Sequence, residues 1–196
     1  MGLEPAWDAE HCPAVFTGPD SAGAHAGPTD RAIGPGHIMN VDFGVRKNGY
    51  CSDLQRTWYF LRPGESAPPA PVQHGFETIV EAIRRAAGSL RPGRPGGEID
   101  DVARAYIVGR GYPEFPHALG HQIGRTAHDG AGLLCPRWER YGKLPDLHVE
   151  AGQCYTIEPR LPVRGHGIAT CEEIYVVTRD GAVPLSRPQD RLYVVS

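Results

Sequence analysis

His37-Ile38-Met39-Asn40-Val41-Asp42-Phe43-Gly44-Val45-Arg46-Lys47-Asn48-Gly49-Tyr50-Cys51-Ser52-Asp53-Leu54-Gln55-Arg56-Thr57 reads as a β-hairpin. Its centre, Asn48-Gly49, suits a type I′ turn, in which both central residues need φ > 0. Pairing Lys47 with Tyr50 across that turn sets the register outward and brings Asp42 opposite Gln55. Side chains alternate along a strand, so Asp53, Gln55 and Asp42 share one face. The two carboxylates then sit diagonally across adjacent strands, roughly 7–8 Å apart at the backbone and closer at their tips. Met39, Val41, Phe43, Leu54, Trp58 and Phe60 occupy the other face, which is the expected core face. Two acids on one face repel unless a proton or a cation lies between them. The alternative is a solvated face, since Asp is common near turns.

Outside the hairpin, composition narrows the class. A chain of 196 residues holds one sizeable domain or two small ones, and its 40% hydrophobic and 22% charged content is that of a soluble globular protein. A net charge of −3 argues against a broad nucleic-acid or membrane footprint. There is no apolar run of transmembrane length and no signal-peptide core at Met1-Gly2-Leu3. The five cysteines are odd in number and contain no CxxC pair, which fits reduced thiols in a cytoplasmic protein better than a disulfide frame or a zinc ribbon.

Upstream, Cys12–Thr17 suggests a short strand, and the Gly/Pro-rich loop after it carries His25. Downstream, Val72, Phe76, Ile79, Val80, Ile83 and Ala87 have helical spacing over about Val72 to Leu90. A second helix is expected from Glu98 to Gly109, with acids at its positive N-terminal end and a stripe of Ile99, Val102, Ala103, Tyr106 and Ile107. Neither helix needs a catalytic role; both read as cover for a sheet.

The second half holds the remaining chemistry. Phe115-Pro116-His117-Ala118-Leu119-Gly120-His121-Gln122-Ile123-Gly124-Arg125-Thr126-Ala127-His128 places three histidines within twelve residues. His117 and His121 have the spacing of a zinc-protease helix. Pro116, Gly120 and Gly124 disfavour a helix, however, and the Glu of HExxH is missing. A strand or loop that brings backbone close to a site fits better. Val149–Pro159 reads as a turn and a strand ending at Glu158. Ile168–Thr178 reads as one strand closed by Arg179-Asp180-Gly181. Glu172 alternates with Ile174 and Val176, and Glu173 with Tyr175 and Val177; alternation leaves open which face is buried. A carboxylate amid so much β-branched surface is costly unless paired or metal-bound.

The order Asp42, Asp53, His121 in Gly-His-x-x-Gly, Glu158 in Thr-Ile-Glu-Pro, and Glu172 before a Val-Val-Thr strand resembles the pita-bread metallopeptidases, which include methionine aminopeptidase, aminopeptidase P and Xaa-Pro dipeptidase. The match runs from about His25 to the C-terminus. It implies an α+β fold, an antiparallel sheet covered by helices, as a single catalytic domain over residues 1–196. It implies Asp42 as a ligand of one metal, Asp53 and Glu172 as bridges, and His121 and Glu158 as completing the second metal. His25 and His128 would contact substrate near the scissile bond. His117, four residues before His121, resembles the extra histidine of the Xaa-Pro branch, as does His25-Ala26-Gly27-Pro28-Thr29-Asp30-Arg31.

The residue chemistry agrees. Four carboxylates and one imidazole make a hard, oxygen-rich site suited to two ions of Mn²⁺ or Co²⁺, with Zn²⁺ also compatible. Two such cations about 3.5 Å apart can share a hydroxide and polarise a carbonyl. Glu158 would shuttle the proton, and nearby histidines would stabilise the oxyanion.

The sequence departs from the resemblance twice. Thr170 stands two residues before Glu172 where similar enzymes have Arg, so Arg160 or Arg164 is expected to bind the substrate carboxylate, Arg164 being the preferred candidate. About 24 residues precede His25, so the first helices of the fold are expected to be missing, with a homodimer or a covering partner on the bared surface. The expected activity is hydrolysis of an N-terminal Xaa-Pro bond in a short peptide or dipeptide. The alternatives are a creatinase-like hydrolase that cleaves no peptide and a catalytically silent binding domain.

Overall fold

The structure is a computed structural model and describes residues 2–19, 21 and 30–196. In chain order its strands begin with β1 (Glu4–Pro5), β2 (Ala14–Thr17), β3 (Ile38–Phe43), β4 (Val45–Lys47), β5 (Tyr50–Cys51) and β6 (Leu54–Phe60). Two helices follow, α1 (Ala70–Ser89) and α2 (Gly96–Gly109). The second half contains β7 (Gly120–His121), β8 (Leu133–Leu134), β9 (Cys154–Ile157), β10 (Arg160–Val163), β11 (Gly167–Thr170), β12 (Glu173–Val177), β13 (Ala182–Pro184) and β14 (Tyr193–Val195). The main sheet runs β14-β6-β3-β2, and a second runs β13-β12-β9. The β10-β11 hairpin packs on β3 and β6 of the main sheet and on α1.

The hairpin has the expected register. Lys47 pairs with Tyr50 and Asp42 with Gln55. Asn48 and Gly49 have φ of 53° and 80°, as a type I′ turn requires. The ladder breaks at Gly44 and Ser52-Asp53, where Ser52 Oγ accepts the Val45 N–H. Gly44 is required there because a side chain would collide with the Ser52 carbonyl.

The buried face of this hairpin is the opposite of the one hydrophobicity suggests. Asn40, Asp42, Gln55, Thr57 and Tyr59 are buried, whereas Met39, Val41, Leu54, Trp58 and Phe60 are half-buried and Phe43 is exposed. The polar face is inside because the second half of the chain closes over it and satisfies it. Asn40 donates to the Ile168 carbonyl (2.8 Å), and the single Thr57 hydroxyl hydrogen is shared between Asn40 Oδ1 and the Thr170 carbonyl. Buried polar groups with partners lose little by leaving water, so pairing outweighs the apolar content of the other face.

The helices follow their stripes. Val72, Phe76, Ile79 and Ile83 of α1 are buried against Ile99, Ala103 and Ile107 of α2 and the sheet. Pro71 lies in the first turn, where its missing N–H has no partner to lose. The expected strand 168–178 is two strands, β11 and β12, which join different sheets; Cys171-Glu172 links them, with Glu172 bridged to Gln55.

Candidate metal centre

The buried hairpin face forms one wall of a cavity of about 340 Å³, lined by Asp42, Asp53, His121, His128, Glu158 and Glu172 together with Trp7, Asp8, His11, Ala14 and Ala127. Each acidic residue arrives from a different local device. Asp42 comes from within β3, and Asp53 from the break before β6. Glu158 stands just past β9, before Pro159, and its N–H donates to the Leu119 carbonyl (2.7 Å). Glu172 occupies the link between β11 and β12, in a β-bridge with Gln55 where its N–H donates to the Gln55 carbonyl (3.3 Å).

His121 sits on β7, which is threaded against β9. A side chain at Gly120 would collide with the Thr156 carbonyl, so only glycine allows this approach. The His121 Nδ1 hydrogen goes to the Gln122 carbonyl (3.0 Å), since a carbonyl only accepts. Nε2 therefore faces Glu158 at 3.4 Å, Asp53 at 3.8 Å and Glu172 at 4.0 Å. A hydrogen bond on one ring nitrogen that aims the other at a cluster of acids is the usual setting of a metal-binding imidazole.

The electrostatics call for a cation. Asp42, Asp53, His121, Glu158 and Glu172 are all at least nine-tenths buried. Burial raises the Asp42 carboxyl to about 6, opposed by a hydrogen bond with Asp53. Burial first, and the Asp42 charge second, raise Asp53 to about 8. Glu158 and Glu172 are pushed well up by burial and then by the neighbouring acids. Four such groups ionise together only when positive charge is added. Among the described residues Asp42 Oδ1 is also a buried oxygen with no hydrogen-bond partner. Donor atoms of Asp53, His121 and Glu172 all lie within 4.8 Å of one another, a spacing one ion can span. The residues present thus fit divalent cations. The donor set suits hard and borderline metals.

The matching family model is that of metallopeptidase family M24, over residues 3–179. The chain belongs to this family. An Xaa-Pro dipeptidase from Lactobacillus helveticus is 33% identical over 168 residues, covering 85% of this chain and 42% of that protein. The structure is similar to that of a dipeptidase from Mycobacterium ulcerans (TM-score 0.81, 31% identity, 94% of this chain and 47% of the other). It is also similar to that of an X-Pro aminopeptidase from Thermotoga maritima (TM-score 0.82, 28% identity, 97% and 49%). The chain spans about half the length of the relatives it matches. Its fold is the pita-bread fold of the M24 prolidases, and its relatives are those of the Xaa-Pro branch.

The cavity brings together most, but not all, of the expected residues. The five expected ligands converge in one cavity. His128 is there too, its ring 4.0 Å from that of His121, and burial holds its pKa below the usual range. His117 is half-buried and packs on Phe115 (5.4 Å) with its Nδ1 donating to the Ala118 carbonyl; it does not line the cavity. Arg164 is exposed at the β10–β11 turn, away from the cavity lining. Arg160 lines a separate cavity of about 240 Å³ with Glu114 and Pro162. His25 lies outside the described residues.

Two groups of residues escaped the sequence reading. Trp7, Asp8 and His11 line the cavity from the irregular N-terminal segment, where nothing in the sequence marked them. Asp100 and Arg104 of α2 form a buried ion pair (2.6 and 2.9 Å). Arg104 also donates to the Phe115 and His117 carbonyls, and Asp100 accepts from Leu119 N–H (3.1 Å). The helix therefore ties down the segment that leads into His121. Their separation of four residues on one helix face was the available signal.

Proposed function

We propose that residues 1–196 act as a catalytic domain that hydrolyses the N-terminal bond of a short Xaa-Pro peptide, dipeptides included, with two divalent cations bound. The convergence of Asp42, Asp53, His121, Glu158 and Glu172 in one water-accessible cavity, with His128 beside it, carries this reading. Its agreement with the Xaa-Pro relatives supports it.

Asp42, Asp53 and Glu172 would hold a first cation, and Asp53, His121, Glu158 and Glu172 a second. When bound, such a pair supplies Lewis-acid polarisation of the scissile carbonyl and lowers the pKa of an attacking water. The chain's own groups do the rest. Glu158 accepts the proton of the attacking water on a carboxylate oxygen and delivers it to the leaving nitrogen. His128 would donate a hydrogen bond to the developing oxyanion through a ring N–H, which the neutral imidazole still carries. The apolar rings and methyls of Trp7, Ala14 and Ala127 keep bulk water from part of the cavity.

The test is a panel of Xaa-Pro dipeptides, longer Xaa-Pro peptides and Met-peptides with added Mn²⁺, Co²⁺ or Zn²⁺, run beside elemental analysis. About two ions per chain and turnover confined to Xaa-Pro substrates are expected. Metal binding without peptide turnover would overturn the peptidase assignment, and absence of metal binding would overturn the centre itself.

A further inference from the structure

Gln55 stands where the acids of the cavity meet, and the chemistry described so far gives it no part. It is almost fully buried (1% exposed), so its amide must be used inside the protein. Its Nε2 lies 3.3 Å from Glu158 Oε2 and 3.5 Å from Asp42 Oδ2. Its Oε1 accepts from Thr170 Oγ1 at 2.9 Å. Its backbone pairs with Asp42 in the β3–β6 ladder and its carbonyl accepts the Glu172 N–H. Asp53 is two residues earlier in the chain. One residue thus touches three of the four acids and is covalently close to the fourth.

We propose that Gln55 is a positioning residue for the metal centre. Its amide turns the carboxylates of Asp42 and Glu158, which belong to different cation seats, and Thr170 fixes the amide. This inference rests on the metallopeptidase reading.

The orientation of the amide follows from its partners. An amide has two N–H donors and an acceptor oxygen. With the NH₂ toward Asp42 and Glu158, both contacts are donor to carboxylate. Flipped, the amide would set its oxygen against two carboxylate oxygens and its NH₂ against the Thr170 hydroxyl. The observed orientation uses one oxygen of each acid and leaves Asp42 Oδ1 for the centre, while Glu158 Oε1 also accepts a long hydrogen bond from Thr156 Oγ1 (3.4 Å). Asp42 Oδ1 is left without a partner among the described residues, and Glu158 Oε1 is turned to His121 Nε2 at 3.4 Å. Thr170 is equally buried, and its single hydroxyl hydrogen is shared between Gln55 Oε1 and the Pro159 carbonyl (3.0 Å), which places the amide beside the chain just after Glu158.

A neutral donor is what the position requires. A carboxylate there would add negative charge to a cluster that already resists ionising. A Lys or Arg would supply the charge that the metals are needed to supply, and would compete with them. Glutamine orders both acids while leaving their charge for the cations.

The experiment titrates Mn²⁺ into metal-free wild type, Gln55→Leu, Thr170→Val and Thr170→Ser by calorimetry, with elemental analysis and melting temperatures alongside. Wild type is expected to bind two ions. Gln55→Leu should lose about 10–100-fold in affinity for at least one of them, the usual effect of removing a group that orients a ligand. Thr170→Val should lose affinity less and in the same direction, and Thr170→Ser should behave as wild type. A merely structural role would lower the melting temperature and leave the isotherm of the folded protein unchanged; that result overturns the inference. Should Gln55→Leu fail to fold, the Thr170 pair decides: equal affinity for Val and Ser overturns it, and loss in Val alone supports it. Binding of both ions with wild-type affinity in every variant sinks this inference but leaves the peptidase reading standing. No binding in wild type removes both.

Discussion

Raising the pH from about 4 to about 8 is expected to destabilise the metal-free chain, and divalent cations to reverse that loss. In the unfolded chain Asp42 and Asp53 titrate near the ordinary aspartate value of about 3.9. In the folded chain Asp42 is raised to about 6 by burial, against a lowering hydrogen bond, and Asp53 to about 8 by burial and by the Asp42 charge. Below the ordinary value both states hold their protons and neither residue affects stability. Above it the unfolded chain releases them freely, while the folded chain keeps them until the pH passes each raised value. The folded state then binds more protons, so stability falls across this window, and Glu158 and Glu172, also pushed up by burial and the neighbouring acids, add to the fall. At about 1.4 kcal/mol per pH unit, Asp42 alone costs about 3 kcal/mol and Asp53 more. In a chain of this size that is a fall in Tm of about 6 °C or more. Asp100, also raised by burial, acts in the same direction, and His128, lowered by burial, acts against it. Asp53→Asn removes the share of Asp53 and relieves its neighbours of its charge. The assay is Tm in chelator at several pH values for wild type and Asp53→Asn. A wild-type Tm that stays level or rises over that range, or a slope that Asp53→Asn leaves unchanged, would refute the reasoning. The same proton balance requires that metal binding at neutral pH releases at least one proton, which titration in buffers of different ionisation enthalpy measures.

Other changes probe separate parts of the centre. His128→Ala is expected to keep its metal and lose about 10²–10³-fold in kcat, the scale of one oxyanion donor; full activity on a proline dipeptide would remove its role. Arg104→Ala leaves the Asp100 carboxylate buried without its partner and frees the Phe115 and His117 carbonyls. It should cost about 3–5 kcal/mol in urea unfolding. Gly120→Ala drives a methyl into the Thr156 carbonyl and should displace β7, so that elemental analysis finds less metal in whatever folds.

The hairpin shows how far local chemistry reaches. Asn48-Gly49 dictates its own turn, the turn sets the register, and the register puts Asp42 and Gln55 side by side. The helix stripes over α1 and α2 were equally plain, because 3.6-residue periodicity is a property of adjacent residues. The acids and His121 could be named from their neighbours in the sequence and from the family those neighbours resemble. What alternation could not decide was which hairpin face is inside. Apolar content pointed to Met39, Val41 and Phe43, yet the polar face is buried, since Ile168 and Thr170, more than a hundred residues away, supply its hydrogen-bond partners. The split of residues 168–178 into two strands, the exposed place of Arg164, and the clamp of Asp100 and Arg104 were hidden for the same reason. By itself the sequence determined the turn, the register, the helices and the kinds of ligand available, all of which depend on nearby residues. Tertiary structure alone decided which polar groups find partners when distant segments close, and therefore which face became the site.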